Sequence, residues 1–525
     1  MAATPGSPGI YVSSTAEGRA TNIPVPTSVA AFIGRAARGP ENTPVTVVSW
    51  ADYERAFGGL SEGSAVSYQI QAFFANGGGQ AIAVRLFHPP VADATACIVV
   101  HGQPTGPSFE ILAANPGSWG NALSASVDTK DITDTDARQA GIARSELFNL
   151  SITLSEAGAP AITETFRCVT LDPKGATHYL GTVLAQQSAL VRYDPQDALK
   201  SVLGAPIHSG QGSGGRDSAP LDLADYLGDE VRKTGLYALE QAPAFNILCI
   251  PPDTADGDTS PYVYQTAANY CAARRAMLIL DPPKLWTQQY KAGQLAKISL
   301  DALGSFGADE ARSSVVYFPR IVATDPLQND ATRAMPICGY VAGIWAQTDT
   351  LTGPWKAPAG ITTPINGILG LELALKDSEN GVLNPLGINS LRSFPMTGTV
   401  VWGARTMRGA DVLADDYAYV PVRRTLLYIQ NWVIANTKSA VFEPNDESLW
   451  AALRLQVSAF MDGLWKQGAF FGTTPSQAYF VRCDGSTNTL DDIASGRVNI
   501  EIGFAPARPA EFVVTTVQLV AAAAG

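Results

Sequence analysis

Between residues 241 and 321, short and continuously apolar runs alternate with stretches of helical spacing. This alternation constrains the fold more than any other feature of the chain. FNILCI (245–250), MLILD (277–281) and SVVYFP (314–319) show no polar alternation, so they predict strands covered on both faces. Helices predicted across about 261–276 and 284–303 separate them. Buried strands joined by helical crossovers imply a parallel sheet. The fold class expected is α/β within a multidomain α+β chain, with the parallel-sheet domain at 241–364.

The flanking regions read differently. Residues 1–21 are small and polar except for PGIYV (8–12), and predict an extended arm. Residues 22–91 predict a compact α/β piece, the first part of an inner domain. VAAFIG (29–34) is a buried strand, Val66, Ile70, Phe73 and Phe74 follow helical spacing, Gly77–Gly79 ends that helix, and QAIAVRLF (80–87) is a strand. From 92 to 240 short strands alternate with polar loops, FNLSITL (148–154) and ITETFRCVTL (162–171) among them, which predicts an inserted β-rich outer domain.

Residues 365–510 are expected to be a C-terminal inner domain, followed by a strand arm at 511–525. Pro421 suits the first turn of a helix reaching about 437. Asn445 is expected to cap the next helix, whose stripe is Leu449, Trp450, Leu453, Val457, Phe460, Leu464 and Trp465, and which Gly468 stops. AYFVRCD (478–484) and VNIEIGF (498–504) read as two strands. EFVVTTVQLV (511–520) follows Pro506 and Pro509, which disfavour a hairpin back onto the preceding strand. Its backbone groups still need partners. PGIYV has the same need at the other end. Either both ends pair within their own chain, or each adds a strand to a neighbouring molecule's sheet.

Composition narrows the partners. The 525 residues suggest about three domains. At 46% hydrophobic and 16% charged residues, the chain has ample core material and is not of disordered composition. Its net charge is −12, and no Lys/Arg cluster offers the basic face that phosphate binding requires. Nucleic acid and anionic membrane are therefore not expected as partners. Six cysteines lack any CxxC pair, which predicts reduced thiols and no cysteine-based metal site. The opening MAATPGSPGIYVSS has neither a charged n-region nor an apolar h-region, and no apolar run approaches membrane-span length. The expectation is folding in the cytoplasm of a producing bacterium, with any release by lysis.

Three motifs suggest chemistry and yield to structural readings. GQGSGG (210–215) has the GxGxxG spacing, but no strand and helix flank it as a dinucleotide site requires, so a surface loop is expected. Asp128, Asp131, Asp134 and Asp136 lack the spacing, glycine and final glutamate of an EF-hand, and read as a solvated acidic loop. Arg423 and Arg424 are expected to pair with acidic groups across a subunit or domain contact. No catalytic, cofactor or metal site is predicted.

Blocks spread over nearly the whole chain resemble the contractile tail sheath family. They include NIPVPTSVAAFIGRAARGPENTPV (22–45), FFANGGGQAIAVRLF (73–87), YCAARRAMLILDPP (270–283), VAGIWAQTD (341–349), LNPLGINSLRSFP (383–395), YVPVRRTLLYI (419–429), FEPNDESLWAALRLQV (442–457) and TNTLDDIASGRVNIEIGFAPARPAEFVV (487–514). Segment 92–240 matches poorly.

The resemblance implies a tail-sheath fold whose subunits stack as six-membered rings around an inner tube. They contract on a baseplate signal, and a terminator or cap protein and further copies of the chain complete the partners. It maps donated strands to 8–14 and 511–520, with Ile10, Tyr11, Val12, Phe512, Val513, Val514 and Val517 as the arm residues. The acceptor sheet would hold Tyr479, Phe480, Val481, Val498, Ile500 and Ile502. Tube attachment is assigned to the helix at 446–467, through Arg454 and Lys466. Two alternatives stand beside this reading. One is a shell that assembles without contracting. The other is a subtilisin-like hydrolase, which His88, His101, His178 and His208 serve poorly, since none lies in 241–350 and no GxSxG elbow is present.

Overall fold

The computed structural model describes residues 23–100, 109–156, 160–193, 195 and 208–511. The chain divides into a larger unit, Thr27–Arg423, and a smaller one assigned to Met1–Pro26 and Arg424–Gly525.

In the larger unit, β1 (Ala30–Gly34) is a wholly buried AAFIG run. β2 (Pro44–Val47) and β3 (Ala81–Arg85) follow, with β3 parallel to β1 and antiparallel to β2. The helix Ala65–Ala75 joins the two halves of this motif. The chain then builds the β-rich domain from β4 (Cys97–Val100), β5 (Phe109–Ala113), β6 (Leu123–Asp128), β7 (Phe148–Leu154), β8 (Ile162–Val169), β9 (Val191–Arg192) and β10 (His208–Ser213). They form one seven-stranded sheet, ordered β8-β7-β6-β10-β4-β5-β9. Leu123, Ala125 and Val127 on β6 and Leu150, Ile152 and Leu154 on β7 face its core, with Ser and Thr between them. That two-residue period is what half-buried strands require.

The chain returns to the central sheet with β11 (Ile247–Cys249), β12 (Met277–Leu280) and β13 (Ser314–Phe318), all buried. A small three-stranded sheet of β14 (Ile321–Asp325), β15 (Ala331–Met335) and β16 (Gly370–Leu371) precedes β17 (Asn389–Phe394) and β18 (Gly398–Trp402). The eight-stranded order is β18-β17-β13-β12-β11-β1-β3-β2. Every pair from β17 to β3 is parallel, and β2 and β18 close the edges antiparallel. Residues 22–91, expected in an inner domain, thus supply three strands of the same sheet as 241–321. Residues 389–402, placed at sequence level in the C-terminal domain, supply two more.

The helix Cys338–Leu351 is buried along most of its length. Small residues let it approach the helix Ala65–Ala75: a Cβ on Gly339 would lie 2.1 Å from the Gln69 carbonyl oxygen, and one on Gly343 2.7 Å from that of Phe73. Close helix approach selects glycine at such positions.

Two local expectations change here. The helix predicted over 284–303 ends at Lys291, where Gly293 turns with φ +69° and short 3₁₀ turns follow. GQGSGG is not a loop. It lies largely in β10, between β6 and β4, where a Cβ on Gly210 would meet the Val99 carbonyl at 2.4 Å and one on Gly212 the Gly120 carbonyl at 2.0 Å. Its glycines serve backbone approach within the sheet.

The smaller unit contains most of the helix Val420–Asn436, the helix Glu447–Lys466, and a two-stranded sheet of β19 (Tyr479–Arg482) and β20 (Glu501–Phe504). Among the described residues no helix is long and apolar enough to cross a membrane. All six cysteines are free thiols.

Candidate assembly interface

The helix Glu447–Lys466 begins at Asp446, not at Asn445. Asp446 Oδ1 accepts the N–H groups of Ser448 and Leu449 at 2.9 and 3.1 Å. Asn445 is occupied elsewhere: its Oδ1 accepts the Trp450 indole N–H at 2.8 Å and its Nδ2 donates to the Arg497 carbonyl. Trp450, Leu453, Val457, Met461 and Leu464 recur at helical spacing and are buried. Phe460 stacks on Trp432 with ring centroids 3.9 Å apart and parallel planes. The opposite face shows Ala452, Leu455 and Ala459 to solvent, with Leu455 73% exposed.

The charges on this helix are engaged locally. Arg454 donates from Nη1 to the Cys483 carbonyl and faces Glu447 at 3.4 Å, so it ties the end of β19 to the helix. Lys466 pairs with Asp462 one turn back at 2.7 Å, and that bond raises its pKa. The surface left available is the smooth apolar strip, flanked by charges that already have partners.

The two-stranded sheet rests on this helix. Tyr479 donates its hydroxyl to the Ser458 carbonyl at 3.3 Å, and the rings of Tyr479 and Phe504 enclose the buried Phe470. Partial burial raises the Tyr479 hydroxyl above the usual tyrosine value. On the outer face Phe480 is 44% exposed and its ring covers Gly503, where a Cβ would come within 2.2 Å. Arg482 lies over that ring and pairs with Glu501 across the strands at 3.4 Å. Among the described residues β19 and β20 have only each other as strand neighbours.

The structure places Tyr479, Phe480, Val481 and Ile502 in this sheet, and Val498 and Ile500 outside it. Those two pack against the cluster of Trp450, Leu453 and Cys483. The backbone at Asn499 bonds to side chains instead of a strand: its N–H donates to Asn488 Oδ1 at 2.6 Å, and its carbonyl accepts from Thr487 Oγ1 and Asn488 Nδ2. The arm residues Ile10, Tyr11, Val12, Phe512, Val513, Val514 and Val517 lie outside the described residues.

The remaining candidates have local roles. Arg423 is buried in its own unit, donates to Ser313 Oγ at 3.0 Å and lies over the Tyr417 ring, and Arg424 is buried as well. Asp128 accepts from Lys130 N and Asn149 Nδ2, Asp134 pairs with Arg144, and Asp136 closes a capping box with Thr133 that starts the short helix Asp134–Ala140. Hydrogen bonds from Thr133 hold the Asp136 carboxyl below its usual range.

Comparison with known proteins bears on these surfaces. Residues 233–407 match the family model described as the phage tail sheath protein central domain, and 414–520 the phage tail sheath C-terminal domain, together more than half of the chain. The tail sheath protein of Vibrio phage KVP40 is 27% identical over 186 residues, which is 35% of this chain but only 26% of that protein's length. The tail sheath protein of Burkholderia phage BcepMu is 24% identical over 93% of this chain and 91% of its own. The helical sheath of the anti-feeding prophage in its contracted state superposes with a TM-score of 0.56 at 20% identity, covering 98% of this chain and 99% of that one.

Proposed function

The chain belongs to the phage tail sheath family, and from that premise we propose that it is the structural subunit of a contractile sheath. It polymerises into a helical cylinder of six-membered rings around an inner tube, and its contraction drives the tube through a target envelope. The role is mechanical, not catalytic. The partners are further copies of the chain, the tube protein, and the baseplate and cap proteins that close the two ends. The chain folds in the cytoplasm of the producing bacterium before it joins the particle.

One observation carries this reading: the sheet of β19 and β20 has two strands only, among the described residues, and both outer edges lack a strand neighbour there. A two-stranded sheet is marginal in water, and a third strand stabilises it. Strand-forming sequence at 8–14 and 511–520 suits that place, supplied by neighbouring copies. Contacts of this head-to-tail kind propagate as helical lattices. Two packings of one subunit that differ by about a few kcal/mol suffice for a switch, and the difference adds up over the cylinder.

The tube is met by the face of Ala452, Leu455 and Ala459 on the helix Glu447–Lys466. Negative-stain microscopy of the full chain and of a chain lacking 511–525 tests the core of the proposal. The full chain forms tubes, and the shortened one remains a folded monomer. Normal tubes from the shortened chain would refute strand donation by that arm.

A further inference from the structure

The β-rich domain joins the central sheet through two crossing segments, and His88 stands where they meet. Its backbone bridges Ala219, with the Ala219 N–H donating to the His88 carbonyl at 3.0 Å and the His88 N–H to Ser218 Oγ at 2.9 Å. The segment leaving this neck enters the short helix Leu223–Leu227, where Asp222 and Asp225 form a reciprocal capping box. His88 Nδ1 lies 2.9 Å from Asp225 Oδ2, and one ligand atom from each of His88, Asp222 and Asp225 falls within 4.8 Å of the others.

We propose that His88, Asp222 and Asp225 bind one divalent transition-metal ion, which clasps the neck of the β-rich domain. One imidazole and two carboxylates are the mixed nitrogen and oxygen donor set that suits zinc and its neighbours. The donors are held before any ion arrives, His88 by its backbone bridge and the two aspartates by their capping bonds. Asp253 adds a third carboxylate to the local field, offset by Arg35 at 2.5 Å, so the position is net acidic. Asp225 also borders an open cavity of about 460 Å³ that Asn42, Phe87 and Arg232 help to line. The His88 ring is a third exposed, so an ion reaches it from solvent.

The test is titration of the untagged full chain with zinc chloride by calorimetry and with cobalt chloride by visible absorption. The variants are His88→Ala and Asp222→Asn, the second chosen because asparagine still caps a helix. The expected result is one equivalent of Zn²⁺ bound, a cobalt d–d band, and a loss of affinity of at least about tenfold in both variants. Circular dichroism melting checks their folding, and if His88→Ala fails to fold, Asp222→Asn alone decides. Zinc binding of the same affinity in a folded variant, or no binding to the native chain at up to about 1 mM zinc, would overturn the assignment. The outcome is independent of whether the chain forms tubes.

Discussion

Asp281, just past the end of β12, accepts the backbone N–H of Cys338 at 3.0 Å with the same oxygen that takes the Ile337 N–H, and so caps the buried helix Cys338–Leu351. A carboxylate at a helix N-terminus satisfies orphan donors and favours the dipole. Here the site is 97% shielded from solvent, and burial outweighs those bonds, raising the carboxyl above its usual range.

A pH dependence follows. With its folded value raised above the ordinary aspartate value of about 3.9, Asp281 holds its proton longer in the folded chain than in the unfolded one. The stability linked to that proton is fully present below the ordinary value and is lost as pH rises through the raised one. Asp281→Asn keeps an acceptor oxygen and has no charge to bury. The difference in unfolding free energy between the native chain and Asp281→Asn, from urea titrations between pH 4 and 8, moves in favour of the variant as pH rises. A difference that stays flat across that range would refute the account. Asp281→Ala removes the acceptor and costs about 2–3 kcal/mol.

Two glycines give opposite outcomes on substitution. A Cβ on Gly212 would sit 2.0 Å from the Gly120 carbonyl oxygen, backbone against backbone, so Gly212→Ala forces β10 away from its neighbours and destabilises by about 2 kcal/mol or more. Gly463, inside the helix Glu447–Lys466, has nothing within 4 Å of its Cβ position. Gly463→Ala therefore stabilises by about 0.5–1 kcal/mol. Thermal melting of the two variants reads both signs.

The strands and helices with continuous apolar runs or long amphipathic stripes were legible in the sequence. β7 spans the residues expected, and β11, β12 and β13 lie within a few residues of theirs. What local pattern does not carry is pairing over distance. β1 lies beside β11 with Ala30 opposite Ile247, so two apparent domains are halves of one sheet. β10 escaped because its glycines have no side chains to alternate. Val498 and Ile500 alternate as a strand would, yet Asn488 and Thr487 bind the backbone between them. Asn445 and Asp446 are equally good caps by residue type, and only the Trp450 indole, which takes Asn445, decides between them. On the helix Glu447–Lys466, sequence drew attention to the charges, while the strip around Leu455 is marked only by its exposure in the fold.

Asn488 is a pivot for the two-stranded sheet of β19 and β20. It is 2% exposed, and its side chain joins the Asp484 and Asn499 carbonyls and the Asn499 N–H across the connection between β19 and β20. Asn488→Ala leaves these groups unpaired and costs about 2–3 kcal/mol. Because the larger unit keeps its own core, hydrogen exchange should rise in 479–504 while the central strands stay protected. Uniform loss of protection across both units would refute this local role.

Leu455 separates folding from assembly. It projects from the helix Glu447–Lys466 with 73% of its surface open, so Leu455→Asp removes little packing and should change stability by no more than about 0.5 kcal/mol. If the strip of Ala452, Leu455 and Ala459 meets the tube, a buried carboxylate there is costly, and co-sedimentation of sheath with tube is lost. Lys466→Glu is the matched control on the charged flank. It replaces the exposed pair with Asp462 by a like-charge i,i+4 pair in the last turn, a change worth only about a few tenths of a kcal/mol to 1 kcal/mol on a helix surface, and should leave tube binding near its native level. Arg454 makes a poor control, because its bond to the Cys483 carbonyl holds β19 and its replacement disturbs the sheet. Tube binding that survives Leu455→Asp and fails in Lys466→Glu would return the attachment to the charges and remove the apolar strip from it.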